Sequence, residues 1–434
     1  MNRIATLLIS CALAGAGVVE VPPATAASEK VLYSFCIQTN CRDGANPAAS
    51  LINLNGTLYG TTYAGGARNG GTLFAIDPAT GGEIVLHSFG KGKDGRAPKA
   101  SLINMDGMLY GTTNRGGTRD RGTVFAFDPD TGVETVLYSF CSQDRCADGQ
   151  YPDGNAIYLN GKLYSTTEKG GYSLPTLTSL ESCHGSGCGT VFSFDPSTSA
   201  ETVLYSFCGQ HKCEDGEFPS AGLFAASGTL YGTTYEGGIG GSGCGNPTGC
   251  GTVFSLDLGT GAETVLHNFK SNGHDGFSPQ ASLIDLNGEL YGTTLYGGDY
   301  HEGTVFSLDP QTGVETVVYS FCAQDFCPDG ASPAANLLDA NGTLYGTTYR
   351  GGTASDACNS NICGTVFSID TTSGSETTVY AFCTAARCAD GEAPQGGLID
   401  VNGILYGTTS LGGTGQGERC NSKFGCGTVF AITP

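Results

Sequence analysis

The chain predicts an all-β protein, a seven-bladed β-propeller of four-stranded antiparallel blades closed by an N-terminal strand. Three blocks recur seven times in fixed order with a period of 51 to 67 residues, turn dipeptides of one kind separate them, and one copy is split between the two chain ends. A unit of this size cannot bury its own apolar face, so it has to stack on copies of itself.

The first block, Leu-Tyr-Gly-Thr-Thr, begins at Leu58, Leu109, Leu163, Leu230, Leu290, Leu344 and Leu405, with Ser165 in place of the third copy's glycine. A Gly-Thr-Val-Phe block follows at Gly71, Gly122, Gly189, Gly251, Gly303, Gly364 and Gly427. A Val-Leu-Tyr-Ser-Phe block begins at Val31, Val85, Val136, Val203, Val265, Val317 and Thr378. Short runs rich in Val, Thr, Tyr and Phe between Gly, Asn and Asp read as strands joined by tight turns.

A fourth strand, as in Ala281-Ser282-Leu283-Ile284, precedes each Leu-Tyr-Gly run. The link is Asn55-Gly56, Asp106-Gly107, Asn160-Gly161, Ser227-Gly228, Asn287-Gly288, Asn341-Gly342 or Asn402-Gly403. Such dipeptides favour the two positive φ angles of a type I′ hairpin, so these strands are antiparallel neighbours. Each unit is a meander of strands a (Ala-Ser-Leu-Ile), b (Leu-Tyr-Gly-Thr-Thr), c (Gly-Thr-Val-Phe) and d (Val-Leu-Tyr-Ser-Phe). The chain opens with an isolated d at Val31 to Phe35 and stops just after the last c. Pairing the two completes a seventh sheet and closes a ring, leaving only short protected edges.

Residues 1–26 read as a signal peptide, with Arg3, an apolar run from Ile4 to Val19 and the small-x-small site Ala24-Thr25-Ala26. A lipoprotein signal with Cys11 lipidated is the alternative for this segment. Residues 27–434 are then a single propeller domain, in which the strand at 31–35 completes the last blade.

Cysteine usage points to an oxidising compartment. After strand d come Cys36 and Cys41, Cys141 and Cys146, Cys208 and Cys213, Cys322 and Cys327, and Cys383 and Cys388. Against strand c end Cys183 and Cys188, Cys244 and Cys250, Cys358 and Cys363, and Cys420 and Cys426. Both members of a pair are present or both are absent, as expected of disulfides. Two adjacent pairs would also make a four-cysteine zinc site. The first pair, Cys36 and Cys41, is expected to have no second pair in its own blade, which favours disulfides. Spacing leaves open whether bridges run within a loop or across two loops.

The formal charge of −21 speaks against nucleic acid and against anionic lipid as partners. No span beyond the leader is apolar and long enough to cross a membrane as a helix. The d-to-a and b-to-c loops emerge on one face and carry nearly all the length variation, so that face is assigned to binding. Candidate ligand contacts there are Glu168, Tyr172, Glu181, His184, His211, Glu236, Tyr296, Tyr300 and His301, with His274 beside them. Glu168, Glu181 and Glu236 are the acids available to a glycan-active hydrolase or lyase, whose two carboxyls need a defined separation.

An Asp-Gly-x-x-Pro element stands in every unit, at Asp43, Asp94, Asp148, Asp215, Asp275, Asp329 and Asp390. Because it precedes the innermost strand, these aspartates are expected to circle the channel mouth, either as a carboxylate ring for Ca²⁺ or as turn residues. No other cofactor is expected. His87 and His267 replace the Tyr of strand d and read as packing variants, and Tyr59, Tyr110, Tyr164, Tyr231, Tyr291, Tyr345 and Tyr406 read as packing between blades.

The three blocks together resemble the GloVer-type tandem repeat of exported bacterial proteins, and the Tyr and Gly-Gly after strand b followed by Asp-Pro-x-Thr-Gly is similar to a distant kelch repeat. The first resemblance implies an extracellular protein and the second a propeller; neither supplies catalytic residues. The expectation is a monomeric, non-enzymatic module that binds a carbohydrate or an extracellular protein through the loops of blades 3, 4, 6 and 7. A glycan-active enzyme and a structural envelope protein are the alternatives.

Overall fold

The computed structural model describes residues 27–171, 183, 186–239, 244, 249–352, 363–416, 420 and 425–434. Seven antiparallel sheets, each running a-b-c-d, stand around a central channel. Blade 4 is representative, with a at Phe224–Ala226, b at Thr229–Thr234, c at Thr252–Asp257 and d at Glu263–Asn268. Neighbouring a strands touch, so a is the inner edge and d the outer. The leader expected at residues 1–26 lies outside the described residues.

Every predicted a–b hairpin has the expected backbone: Asn55 and Gly56 take φ of 53° and 87°, and the other six dipeptides are positive at both positions. Strand a is displaced from its expected place. In blade 5 the paired residues are Ile284–Leu286, and the preceding Ala-Ser-Leu runs beside the channel instead of joining the ladder.

Each sheet is knit internally by the repeated threonines. The last Thr of strand b meets the first Thr of strand c in a buried hydroxyl pair, from Thr62–Thr72 to Thr409–Thr428, at 2.7 to 2.9 Å in all seven blades. The strand-b glycine follows from packing: a Cβ on Gly60 would stand 2.6 Å from the ring of Phe74 and 2.8 Å from Leu51. Blade 3 carries Ser165 there, and Ala156 takes the place of that leucine, which makes room for the extra atoms.

The core is divided among the seams between blades. Seven clusters of buried apolar side chains each draw on two neighbouring sheets. At the centre of each seam the Phe that ends one strand d packs edge-to-face on the strand-c Phe of the next blade. The series runs from Phe35–Phe74 through Phe89–Phe125, Phe140–Phe192, Phe207–Phe254, Phe269–Phe306 and Phe321–Phe367 to Phe382–Phe430, with centroids 4.9 to 5.2 Å apart. The recurrent Tyr of strand b belongs to the same packing, as Tyr406 does against blade 1.

The seventh sheet closes as expected. Ser28–Ser34 pairs antiparallel with Thr428–Thr433 as strand d of blade 7, and Phe35 then reaches blade 1. A second stitch crosses the same seam nearer the channel, where the Thr408 hydroxyl donates to the Ala49 carbonyl at 3.2 Å.

The described cysteines pair within their own loops: 36–41, 141–146, 183–188, 208–213, 244–250, 322–327, 383–388 and 420–426. Cys363 is also disulfide-bonded, and Cys358 lies outside the described residues. Loops this short constrain the unfolded chain by about 2 kcal/mol each. The expectation that the first pair stands alone is overturned. Ring closure brings Cys36–Cys41 against Cys420–Cys426, with all four sulfurs within 4.8 Å of one another.

Two outcomes are expected. Phe35→Ala leaves a cavity in the closing seam and costs about 3–5 kcal/mol in denaturant unfolding, while deletion of Val31 to Phe35 lowers the melting temperature further; an unchanged melting temperature would contradict closure. Mass spectrometry of residues 27–434 should find no free thiol.

Candidate functional site

The Asp-Gly-x-x-Pro element sits elsewhere than expected, because the loop from strand d to the next strand a travels from the rim to the centre and its Asp lies at the start of that path. The seven aspartates, six of them buried and Asp94 half-buried, stand at the outer ends of the seams and do not circle the channel. Tyr33, Tyr138, Tyr205, Tyr319 and Tyr380 of strand d donate their hydroxyls to Asp43, Asp148, Asp215, Asp329 and Asp390 at 2.8 to 3.0 Å. In the other two seams His87 meets Asp94 at 3.1 Å and His267 meets Asp275 at 3.3 Å.

Each seam also contains a glutamate from the start of strand d of the next blade: Glu83, Glu134, Glu201, Glu263, Glu315, Glu376 and, across the closure, Glu29. Burial first, with the neighbouring Asp adding to it in every seam, pushes Glu83 and Glu263 up to about 7 and Glu201 to about 8. The other four are also raised to about 7. Burial likewise raises the five tyrosines, which keeps them as donors. Below about neutral pH the seam glutamates are therefore held protonated. The sequence reading missed these glutamates, although Glu at a fixed distance before Val-Leu-Tyr recurs in the chain as plainly as the Asp does.

The channel mouth is built from two rings of positions where the seven copies disagree. The first follows the Pro of Asp-Gly-x-x-Pro: Ala48, Lys99, Asp153, Ser220, Gln280, Ala334 and Gln395, all of which line the mouth. The second follows Leu-Tyr-Gly-Thr-Thr: Tyr63, Asn114, Glu168, Tyr235, Leu295, Tyr349 and Ser410. The first ring, with Tyr63, Leu295, Tyr349 and Ser410 of the second and with Tyr296 and Arg350 one residue further on, lines a cavity of about 660 Å³ on the predicted loop face. A narrower continuation of about 110 Å³ leads down the channel between the small residues before strand a.

Blades 2 and 3 make the mouth asymmetric. Lys99 donates to Asp153 at 2.9 Å, and the Asn114 amide reaches the same carboxylate at 3.2 Å. Burial pushes the Asp153 carboxyl up against the pull of Lys99, and Glu168 is close enough to raise it further. Glu168 itself pairs with Lys169 at 3.5 Å. On the opposite side Tyr296 packs on Phe277, with centroids 5.5 Å apart.

Of the residues expected to bind, Tyr296 lines the mouth, whereas Glu168 stands near Asp153 and does not line the cavity. Tyr300 lines a different cleft near His274 at the rim, and His211 and His301 are exposed in separate loops. Glu236 is partly buried beside Glu217, with which it exchanges backbone hydrogen bonds. Tyr172, Glu181 and His184 lie outside the described residues. Sequence reasoning missed Lys99, Asp153 and Gln280; the signal for them was non-repetition at a fixed place inside a repeat.

The model of the Gloeobacter/Verrucomicrobia repeat matches residues 14–178 and 244–434, and the chain belongs to that family. A search of the curated proteins finds no match. Among solved structures, an oligogalacturonate lyase in complex with manganese is similar at 14% identity over 94% of this chain and 90% of that one, with a TM-score of 0.49. TolB from Acinetobacter baumannii is 11% identical over 75% and 63%, with a TM-score of 0.41. A nidogen/laminin complex is 13% identical over 62% and 79%, with a TM-score of 0.37. Among the described residues no helix is long and apolar enough to cross a membrane.

The seam glutamates set a pH dependence. Their folded pKa values lie above the ordinary 4.5, so the folded state binds more protons than the unfolded chain between about pH 4.5 and 7, and stability falls as pH rises through that window. Asp128, Asp257 and Asp309, held below 3.8 by turn hydrogen bonds, act in the opposite direction only under more acid conditions. The melting temperature should therefore be higher at pH 5 than at pH 8, and Glu201→Gln should raise it at pH 8 and flatten the profile.

Proposed function

We propose that this Gloeobacter/Verrucomicrobia-repeat propeller is an exported, non-enzymatic binding protein that takes a neutral glycan end at the mouth of its channel. The observation that carries the reading is the cavity of about 660 Å³ formed where the sevenfold pattern breaks. Its size is that of a small-molecule site, whereas a stable protein partner needs about 800 Å² of matched surface on each side. The chemistry of the lining suits a sugar: Tyr63, Tyr296 and Tyr349 offer apolar ring faces, while Gln280, Gln395, Ser220 and the Lys99–Asp153 pair offer donors and acceptors for several hydroxyls. Export is supported by the disulfides and by the leader-like first 26 residues.

One observation favours a second reading, a glycan-active hydrolase or lyase: the half-buried Asp153, its carboxyl pushed up, has Glu168 for a neighbour. This is the pairing of two differently placed acids that acid–base chemistry uses.

A glycan array joined to a turnover screen separates the readings. Binding without turnover is expected, and Lys99→Ala and Tyr349→Ala should each weaken it about tenfold, or about 1.4 kcal/mol, with the circular dichroism spectrum unchanged. Turnover abolished by Asp153→Asn would establish the enzyme instead. Binding indifferent to both alanine variants would remove the mouth as the site.

A further inference from the structure

Two of the seven seams differ chemically from the other five. His87 and His267 stand where the others have Tyr, and the loops that follow, Gly90 to Lys93 and Lys270 to His274, lack the cysteine pair. The two changes occur together in both places. In four of the tyrosine seams a loop N–H satisfies the second aspartate oxygen, as Gln38 does for Asp43 Oδ1 at 3.3 Å and Gln210 for Asp215 Oδ1 at 3.3 Å. In the histidine seams Asp94 Oδ1 and Asp275 Oδ1 are buried without a partner; Glu134 Oε1 and Glu315 Oε1 are too, a feature they share with Glu29, Glu83, Glu201 and Glu263 of the tyrosine seams. Asp329 Oδ1 is also unpartnered, but its neighbour is the hydroxyl of Tyr319, a donor.

We propose that His87, Asp94 and Glu134 form one divalent transition-metal site of the zinc class, that His267, Asp275 and Glu315 form a second, and that the five tyrosine seams form none. In each set one ligand atom per residue lies within 4.8 Å of the other two. The His–Asp distances of 3.1 and 3.3 Å match the edge of a tetrahedron with metal–ligand bonds near 2.0–2.1 Å, which is about 3.3 Å. Imidazole with two carboxylates suits zinc or cobalt, whereas Ca²⁺ takes oxygen ligands. The replacement of Tyr matters because a hydroxyl that stays protonated donates to Asp, while a neutral imidazole with its proton on Nδ1 presents Nε2 as a lone pair.

The second site has an approach from solvent. A cleft of about 630 Å³ at the seam of blades 4 and 5 is lined by His267, Asp275 and Glu315. At its rim His274 pairs with Asp299 at 2.7 Å, a second imidazole–carboxylate set for a metal entering from solution.

The test uses the full mature chain, stripped with chelator and dialysed, then titrated with Zn²⁺ or Co²⁺ in calorimetry, with metal content measured after desalting. Two equivalents per chain are expected, with a visible Co²⁺ spectrum of low-coordinate type and a Zn²⁺-dependent rise in melting temperature. His87→Tyr and His267→Tyr install the residue the other five seams use, so each variant folds and should lose one equivalent, and the double variant both. Failure to retain zinc or cobalt in the wild type would overturn the proposal. So would metal that survives in the double variant; a parallel thiol assay then shows whether the cysteines hold it.

Discussion

The structure depends on one contact repeated seven times, the edge-to-face packing of a strand-d Phe on the strand-c Phe of the next blade. No blade has a core of its own: a four-stranded sheet this narrow exposes both faces, and each buried cluster is shared by two sheets. Stability is therefore a property of neighbours, as in other repeat architectures. What distinguishes a ring from a solenoid is that the last neighbour is the first, which here requires strand Ser28–Ser34 to cross the gap between the chain ends and deliver Phe35 to Phe74.

The seams also explain why so many residues recur without serving a ligand. Threonine pairs hold strand b to strand c, glycine clears space for the strand-c Phe, and a Tyr–Asp–Glu cluster fills the outer end. Two carboxyls placed so close in a chain of formal charge −21 would repel strongly if both ionised. Burial resolves this by keeping the Glu protonated up to about neutral pH. Acidity thus strengthens the ring, contrary to the usual behaviour of paired carboxylates.

Blade number, strand order, hairpin type and closure were all legible in the sequence because each follows from local chemistry repeated seven times. Asn55-Gly56 can only turn one way cheaply, and an isolated strand d at Val31 to Phe35 has one vacant edge to join. Radial position was not legible. Asp43 and Ala48 are five residues apart in the same loop, yet the first is buried at the rim and the second lines the channel, since a loop crossing the blade from edge to centre changes surroundings within a few residues. That Tyr296 lies on the loop face was readable from its loop, whereas Lys99 and Asp153 required knowing that the residue after the Pro faces the axis. The apparent isolation of Cys36–Cys41 had the same origin, because its neighbour Cys420–Cys426 is adjacent only once the ring is closed.

Residues that agree in all seven copies therefore build the ring, and those that disagree at its mouth or in two of its seams are where ligands are to be sought. That division holds only if the ring is closed and uniformly coupled. Native-state hydrogen exchange tests this most directly, by comparing amides of the terminal strand Thr428–Thr433 with those of Thr252–Asp257 in the middle of the chain. A closed ring predicts equal protection, near the global unfolding free energy, for both strands. Protection that declines steadily toward the chain ends would show an open stack and contradict the account.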